Sequence, residues 1–147
     1  MYSISALYKF HSIEDANKIH NLIRKELKDL DIKGTILVGS EGINGTISSI
    51  CPKKLSKAIE YIKSIEGFKN IDIKYSFSKI NPFVRLKVKL KKEIVTIGDD
   101  SINPNLISGD YVDPKDWNEI IDDENVLLID TRNHYECSIG SFKNSIN

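Results

Sequence analysis

The stretch that decides the fold is Gly34-Thr35-Ile36-Leu37-Val38-Gly39-Ser40-Glu41-Gly42-Ile43-Asn44-Gly45-Thr46-Ile47-Ser48. Thr35 to Val38 is a short β-branched and aliphatic run, and Thr46-Ile47-Ser48 begins another. Between them, residues 39–45 hold Gly39, Gly42, Asn44 and Gly45, residue types that let a chain turn back on itself. Two antiparallel strands are therefore expected at the centre of the sequence. Glycines spaced three apart can also align backbone amides around an anion. The hairpin, with Asn44-Gly45 as a turn element, is the better-supported reading. No Lys-Ser/Thr pair follows, so the loop is not a P-loop.

The same pattern extends outward on both sides. Upstream, Ser12 followed by Ile13-Glu14-Asp15 reads as a capped helix start with acids in its first turn. Ala16, Ile19, Ile23, Leu27 and Leu30 recur at helical spacing, which predicts an amphipathic helix over 13–30. Before it, Ile4, Ala6, Tyr8 and Phe10 alternate along a strand. Downstream, Pro52 suits a first helical turn, and Leu55, Ala58, Ile59, Ile62 and Ile65 form a second stripe that Gly67 closes. Ile71, Ile73, Tyr75 and Phe77 then alternate as a fourth strand. The order βαββαβ is the split βαβ arrangement of ferredoxin-like domains, an α+β class. Its two helices would cover one face of an antiparallel sheet and leave the other free.

Beyond Asn81-Pro82, the run 83–96 places Val84, Leu86, Val88 and Leu90 on one face and Arg85, Lys87 and Lys89 on the other, followed by Lys91 and Lys92. Cations at that spacing suit a row of phosphates. They equally suit an edge strand on which lysine discourages unwanted pairing. No Tyr or Phe is interleaved among them, so this run offers bases no stacking platform of its own.

Over the 147 residues, 40% hydrophobic and 29% charged residues describe an ordinary globular composition. No apolar run approaches the roughly 20 residues of a membrane helix, and the start lacks the basic segment of a secretion signal. Two cysteines, Cys51 and Cys137, make no disulfide framework, so a cytoplasmic setting is expected. The zero net charge is an average of unlike halves: residues 1–98 carry 18 Lys/Arg against 10 Asp/Glu, and 99–147 carry 3 against 11. A domain over 1–98, a linker over 99–106 and a second region over 107–147 follow from that shift and from the Asp, Asn and Pro residues between. A basic first domain is a candidate for polyanion binding; an acidic tail folded against it fits the charge equally well.

In the second region, Asp113-Pro114 opens a short helix bearing Trp117, Ile120 and Ile121. Val126-Leu127-Leu128-Ile129 reads as a parallel strand buried on both faces, which needs neighbours. Asp130, Arg132 and Glu136 suggest an arginine held between two carboxylates, pinning a strand–helix junction in a structural role. His134 and Cys137 offer two metal donors where zinc generally needs three or four. Cys137 has no adjacent cation to activate it and reads as a packed thiol. No metal site and no catalytic residue is assigned.

Asp130-Thr131-Arg132, with Tyr135-Glu136, Ile139-Gly140 and Phe142-Lys143, resembles the opening signature of rhodanese domains. Lys33-Gly34-Thr35-Ile36-Leu37, the segment 41–48, Pro82-Phe83, the segment 87–96 and Tyr111-Val112 through Trp117-Asn118 resemble the TrhO (YceA) family. These rhodanese-related tRNA uridine hydroxylases convert the wobble uridine to 5-hydroxyuridine with molecular oxygen. The resemblance implies a ferredoxin-like domain followed by a rhodanese domain, with Asp130, Arg132, Glu136 and Gly140 as structural residues of the latter. It implies tRNA as partner, with Arg85, Lys87, Lys89, Lys91 and Lys92 as candidate contacts. It implies molecular oxygen as cosubstrate; no cofactor is identifiable. His134, Cys137 and Asn144-Ser145 depart from the family pattern. The family's reactive cysteine sits on a later loop, and no residue here matches it. The expectation is an N-terminal fragment of the hydroxylase, inactive alone. The alternatives are a non-catalytic tRNA-binding module, or one half of a split enzyme whose rhodanese half is separately encoded. In the fragment the strand at 126–129 is expected to lack neighbours and leave apolar surface exposed; in the split enzyme the second half would dock on it.

Overall fold

The computed structural model describes residues 1–96, 98, 106 and 109–147, and the chain divides into two compact units, Met1–Ser108 and Gly109–Asn147. Apart from Leu106, the linker expected over 99–106 lies outside the described residues.

The first unit runs β1 (Tyr2–Phe10), α1 (Ala16–Asp29), β2 (Lys33–Gly39), β3 (Gly42–Ser49), α2 (Pro52–Ser64), β4 (Asp72–Ser78) and β5 (Leu86–Leu90). The strands form one sheet in the order β4-β1-β3-β2-β5. The first four pair antiparallel, and β5 adds to β2 in parallel. The βαββαβ reading of the sequence is the observed fold, extended by one edge strand.

Three local details differ from expectation. The turn between β2 and β3 is only Ser40 and Glu41, with Gly39 paired to Gly42, so residues 42–45 are strand rather than loop. Gly42 is required there: its φ is +145°, and a Cβ would collide with the Lys9 carbonyl. The first helix starts at Ala16, capped by Asp15, whose carboxylate accepts from the Lys18 amide at 2.9 Å. Ser12 does not cap it, because residues 11–13 are tied to the hairpin turn instead. The His11 amide donates to the Glu41 carbonyl and the Ile13 amide to the Ser40 carbonyl, both at 2.8 Å.

The third difference concerns β1. The helices cover Ser3, Ser5 and Leu7, whereas the alternating Ile4, Ala6, Tyr8 and Phe10 belong to the opposite face. The core joins Ile23 and Leu27 of α1 and Leu55, Ala58, Ile59 and Ile62 of α2 to Leu7, Ile36, Val38, Ile43 and Ile47 of the sheet. Among the described residues, Ser5 Oγ is the buried side-chain polar atom left without a hydrogen-bond partner.

β4 and β5 lie on opposite edges, so residues 79–85 cross one end of the sheet. Ser48 Oγ donates to Asn81 Oδ1 at 3.2 Å, the Phe83 amide donates to the same oxygen at 3.1 Å, and the Gly34 amide donates to the Arg85 carbonyl at 3.2 Å. From α1, His20 Nε2 reaches the Val88 carbonyl of β5 at 3.0 Å.

The second unit contains α3 (Trp117–Ile121) and α4 (His134–Cys137), with Trp117 stacked on Phe142 at a centroid distance of 5.2 Å. Val126, Leu127 and Ile129 are exposed, and their segment pairs only through an isolated parallel bridge between Ile129 and Ile146. The strand expected to be buried on both faces is therefore not formed. As its lack of partners led one to expect, its apolar side chains face solvent.

Candidate nucleic-acid interface

The basic segment owes its orientation to the parallel pairing of β5 with β2. Leu86 pairs with Gly34, Val88 with Ile36 and Leu90 with Val38, which places these apolar residues on the helix side. Lys87 pairs with Thr35 and Lys89 with Leu37 on the helix-free side, and both lysines are exposed. Arg85 immediately precedes the strand. The Lys91 amide extends the ladder to the Val38 carbonyl at 2.9 Å, and Lys92 lies beyond it. All five cations are exposed, but only Lys87 and Lys89 are fixed on one face by strand pairing. Val84, 92% exposed, falls outside the strand it was expected to join.

After β5 the chain is gripped by the hairpin turn. The Ile94 amide donates to Glu41 Oε1 at 2.6 Å, and Asn44 Nδ2 donates to the Ile94 carbonyl at 3.0 Å. One buried peptide residue, Ile94 at 1% exposure, thus has both backbone groups held by side chains of the Glu41-Gly42-Ile43-Asn44 segment. That segment is a structural clamp, and its carboxylate makes it unsuited to an anion. Sequence patterning had no means of linking residues 41 and 44 to residue 94.

In the second unit, Arg132 forks onto Asp130: Nε donates to Oδ1 at 2.9 Å and Nη2 to Oδ2 at 2.6 Å, while Nη2 also reaches the Gly140 carbonyl at 2.8 Å. The Arg132 guanidinium holds the Asp130 carboxyl well below the usual carboxylate range. Glu136 is not the second carboxylate of this arginine. Its Oε2 accepts from the Asn133 amide at 3.1 Å and from Asn133 Nδ2 at 2.8 Å, a capping box at the start of α4. Helix geometry turned Glu136 toward its own N-terminus.

Cys137 Sγ accepts from Asn147 Nδ2 at 3.0 Å. Desolvation first, and then the hydrogen bond to Asp130, push its thiol pKa up. Those surroundings disfavour a thiolate nucleophile. Among the described residues no group of three or more His, Cys, Asp or Glu side chains is placed to hold a metal ion, and no helix is long and apolar enough to cross a membrane. An open hollow of about 590 Å³ between the start of α1 and the end of α2 is lined by Glu14, Asp15 and Glu66 beside Lys18, a poor match for phosphate.

The topology and the bare sheet face define an acylphosphatase-like domain of the ferredoxin-like α+β class. The UPF0176 acylphosphatase-like domain model matches residues 2–94, and the chain belongs to that family, the one its motifs resemble. It is 48% identical over 149 residues to a tRNA uridine(34) hydroxylase of Bartonella quintana, covering 99% of this chain and 47% of the relative. The chain thus spans about half the length of that curated relative. An acylphosphatase from Bacillus subtilis superposes on 60% of this chain and 99% of its own, with a TM-score of 0.47 and 13% identity. One from Coxiella burnetii covers 59% of this chain and 90% of its own, with a TM-score of 0.43 and 11% identity.

Proposed function

We propose that these 147 residues supply the tRNA-binding part of a tRNA uridine hydroxylase, acting in the cytoplasm on the wobble uridine with molecular oxygen as cosubstrate. The observation that carries the reading is the pairing that holds Lys87 and Lys89 exposed on the sheet face that α1 and α2 leave bare, with Arg85, Lys91 and Lys92 flanking them. Cationic side chains fixed at strand spacing contact phosphates without reading sequence, and they make affinity salt-dependent. The likeness to a tRNA uridine(34) hydroxylase supports tRNA as the polyanion. Asp130, Arg132, Glu136 and Gly140 act structurally in this reading: their side-chain bonds tie the turn to α4, and the backbone of Asp130 and Arg132 holds Ile146 and Asn147. Cys137, with its raised thiol pKa, is not the reactive cysteine.

The test has two parts on one preparation of the chain. Affinity for unmodified tRNA is expected to fall steeply with salt and to be lost in the Arg85→Ala, Lys87→Ala, Lys89→Ala triple variant. Nucleoside mass spectrometry after aerobic incubation is expected to show no 5-hydroxyuridine. Salt-independent or absent tRNA binding refutes the binding role. Formation of 5-hydroxyuridine by the isolated chain refutes the assignment of chemistry to other residues.

A further inference from the structure

The strand registers align side chains in rows on the helix-free face. One row runs from edge to edge through Lys74, Ala6, Thr46, Thr35 and Lys87. A neighbouring row runs Asp72, Tyr8, Asn44, Leu37 and Lys89; on the other side, Ser76, Ile4, Ser48 and Lys33 align. Four strand spacings separate Lys74 from Lys87, about 19 Å. Cations therefore stand at both edges of the face, with Lys33 between them and Asp72 as the one acid in these rows. Ala6, Lys74, Lys87 and Lys89 are exposed, and Thr35 and Thr46 are half-buried. The face is bordered by chain at each end, through the Ser48–Asn81 bond at one and the Asn44–Ile94 bond at the other.

The result is an open surface whose central row is small, neutral and hydroxyl-bearing between a lysine at each edge, with Asp72 beside Lys74 on the β4 edge. A ligand that fits needs separated negative charges with uncharged, hydrogen-bonding surface between them. Single-stranded RNA crossing the strands has that form, with phosphates at the edges and bases and 2′-hydroxyls over Ala6, Thr46 and Thr35. A duplex presents only its backbone to so shallow a surface. We infer that the helix-free face binds a single-stranded RNA loop across its strands, with Lys74 and Lys33 as phosphate contacts alongside Lys87 and Lys89. The inference rests on the tRNA-binding role proposed above and deepens it.

The test uses the whole chain, fluorescence anisotropy, an anticodon stem-loop RNA and the same stem closed as a blunt duplex. The stem-loop is expected to bind more tightly than the duplex. Lys74→Ala is expected to weaken stem-loop binding and to lower the salt slope by roughly 0.7, the single-strand value for one phosphate contact. Ala6→Glu, which sets an anion in the central row, should weaken it about tenfold, with circular dichroism checking that the fold is kept. Lys57→Ala on α2, on the other side of the sheet, should leave binding unchanged. Stem-loop binding indifferent to Lys74→Ala and Ala6→Glu, sensitivity to Lys57→Ala, or equal affinity for the duplex would overturn the inference while leaving tRNA binding intact. Failure to bind any RNA at low salt would overturn both.

Discussion

Glu41→Ala provides a quantitative test of the clamp. The substitution removes the carboxylate that accepts the Ile94 amide at 2.6 Å and leaves a buried N–H without its acceptor. A hydrogen bond to a charged group is worth about 1.5–3 kcal/mol, so Glu41→Ala should cost about 2 kcal/mol. Asn44→Ala removes a neutral bond to the carbonyl of the same residue, at about 1 kcal/mol. The two bonds hold one peptide segment, so releasing either frees the segment and weakens the other. The double variant should therefore lose clearly less than the sum of the singles. Glu41→Gln, which keeps an acceptor oxygen, should lose only the charge assistance. The assay is urea unfolding followed by far-UV circular dichroism, which reports mainly α1 and α2. With a slope of about 1–3 kcal/mol/M, the Glu41→Ala midpoint should fall by about 0.7–2 M. Strict additivity, or single variants within about 0.3 kcal/mol of wild type, would refute the clamp.

Three further outcomes are expected. Ser5→Ala should be neutral or stabilising by up to about 1 kcal/mol, because the Ser5 hydroxyl is buried without a partner among the described residues; a clear loss of stability in thermal unfolding would contradict it. The Asp130 pKa is depressed in the folded chain, so its contribution is complete above the unfolded carboxyl value and is lost as pH falls through the lower folded one. Trp117 fluorescence should accordingly report acid loosening of the second unit only below about pH 4, and Asp130→Asn should make that response shallower; an unchanged acid profile would count against it. Cys137 should alkylate with iodoacetamide along a pH profile whose midpoint lies above that of a free thiol, as its raised pKa requires, and a midpoint at or below that of a free thiol would disprove this.

The parts of the fold that depend on local periodicity were legible. The helical stripe of Leu55, Ala58, Ile59 and Ile62 is the buried face of α2, and the central hairpin forms as expected, but its turn is Ser40-Glu41, while the expected turn element Asn44-Gly45 lies within β3. Alternation did not reveal which face of β1 the helices cover, since Ile4, Ala6, Tyr8 and Phe10 look more core-like than Ser3, Ser5 and Leu7. That choice is made by the pairing with β3, a long-range fact. Lys87 and Lys89 were legible as a row, but the strand beside them was not, because neither the parallel pairing nor the edge-to-edge crossing leaves a local signal. Lys74 was within reach: it sits out of phase with Ile73, Tyr75 and Phe77 on a strand already recognised. Glu136 was misassigned because spacing from Arg132 alone cannot weigh a nearer partner, the Asn133 amide.

The late addition of β5 has a consequence for biosynthesis. β2, with Thr35, Ile36, Leu37 and Val38 in succession, pairs with β3 on one side and depends on β5 for the other. During translation the first four strands and both helices emerge before β5 does, so the nascent chain carries a naked, sticky edge until Leu90 has cleared the ribosome. Once β5 docks, the outermost strand of the sheet on that side carries Lys87 and Lys89. Cells making a variant without those lysines are expected to lose soluble yield.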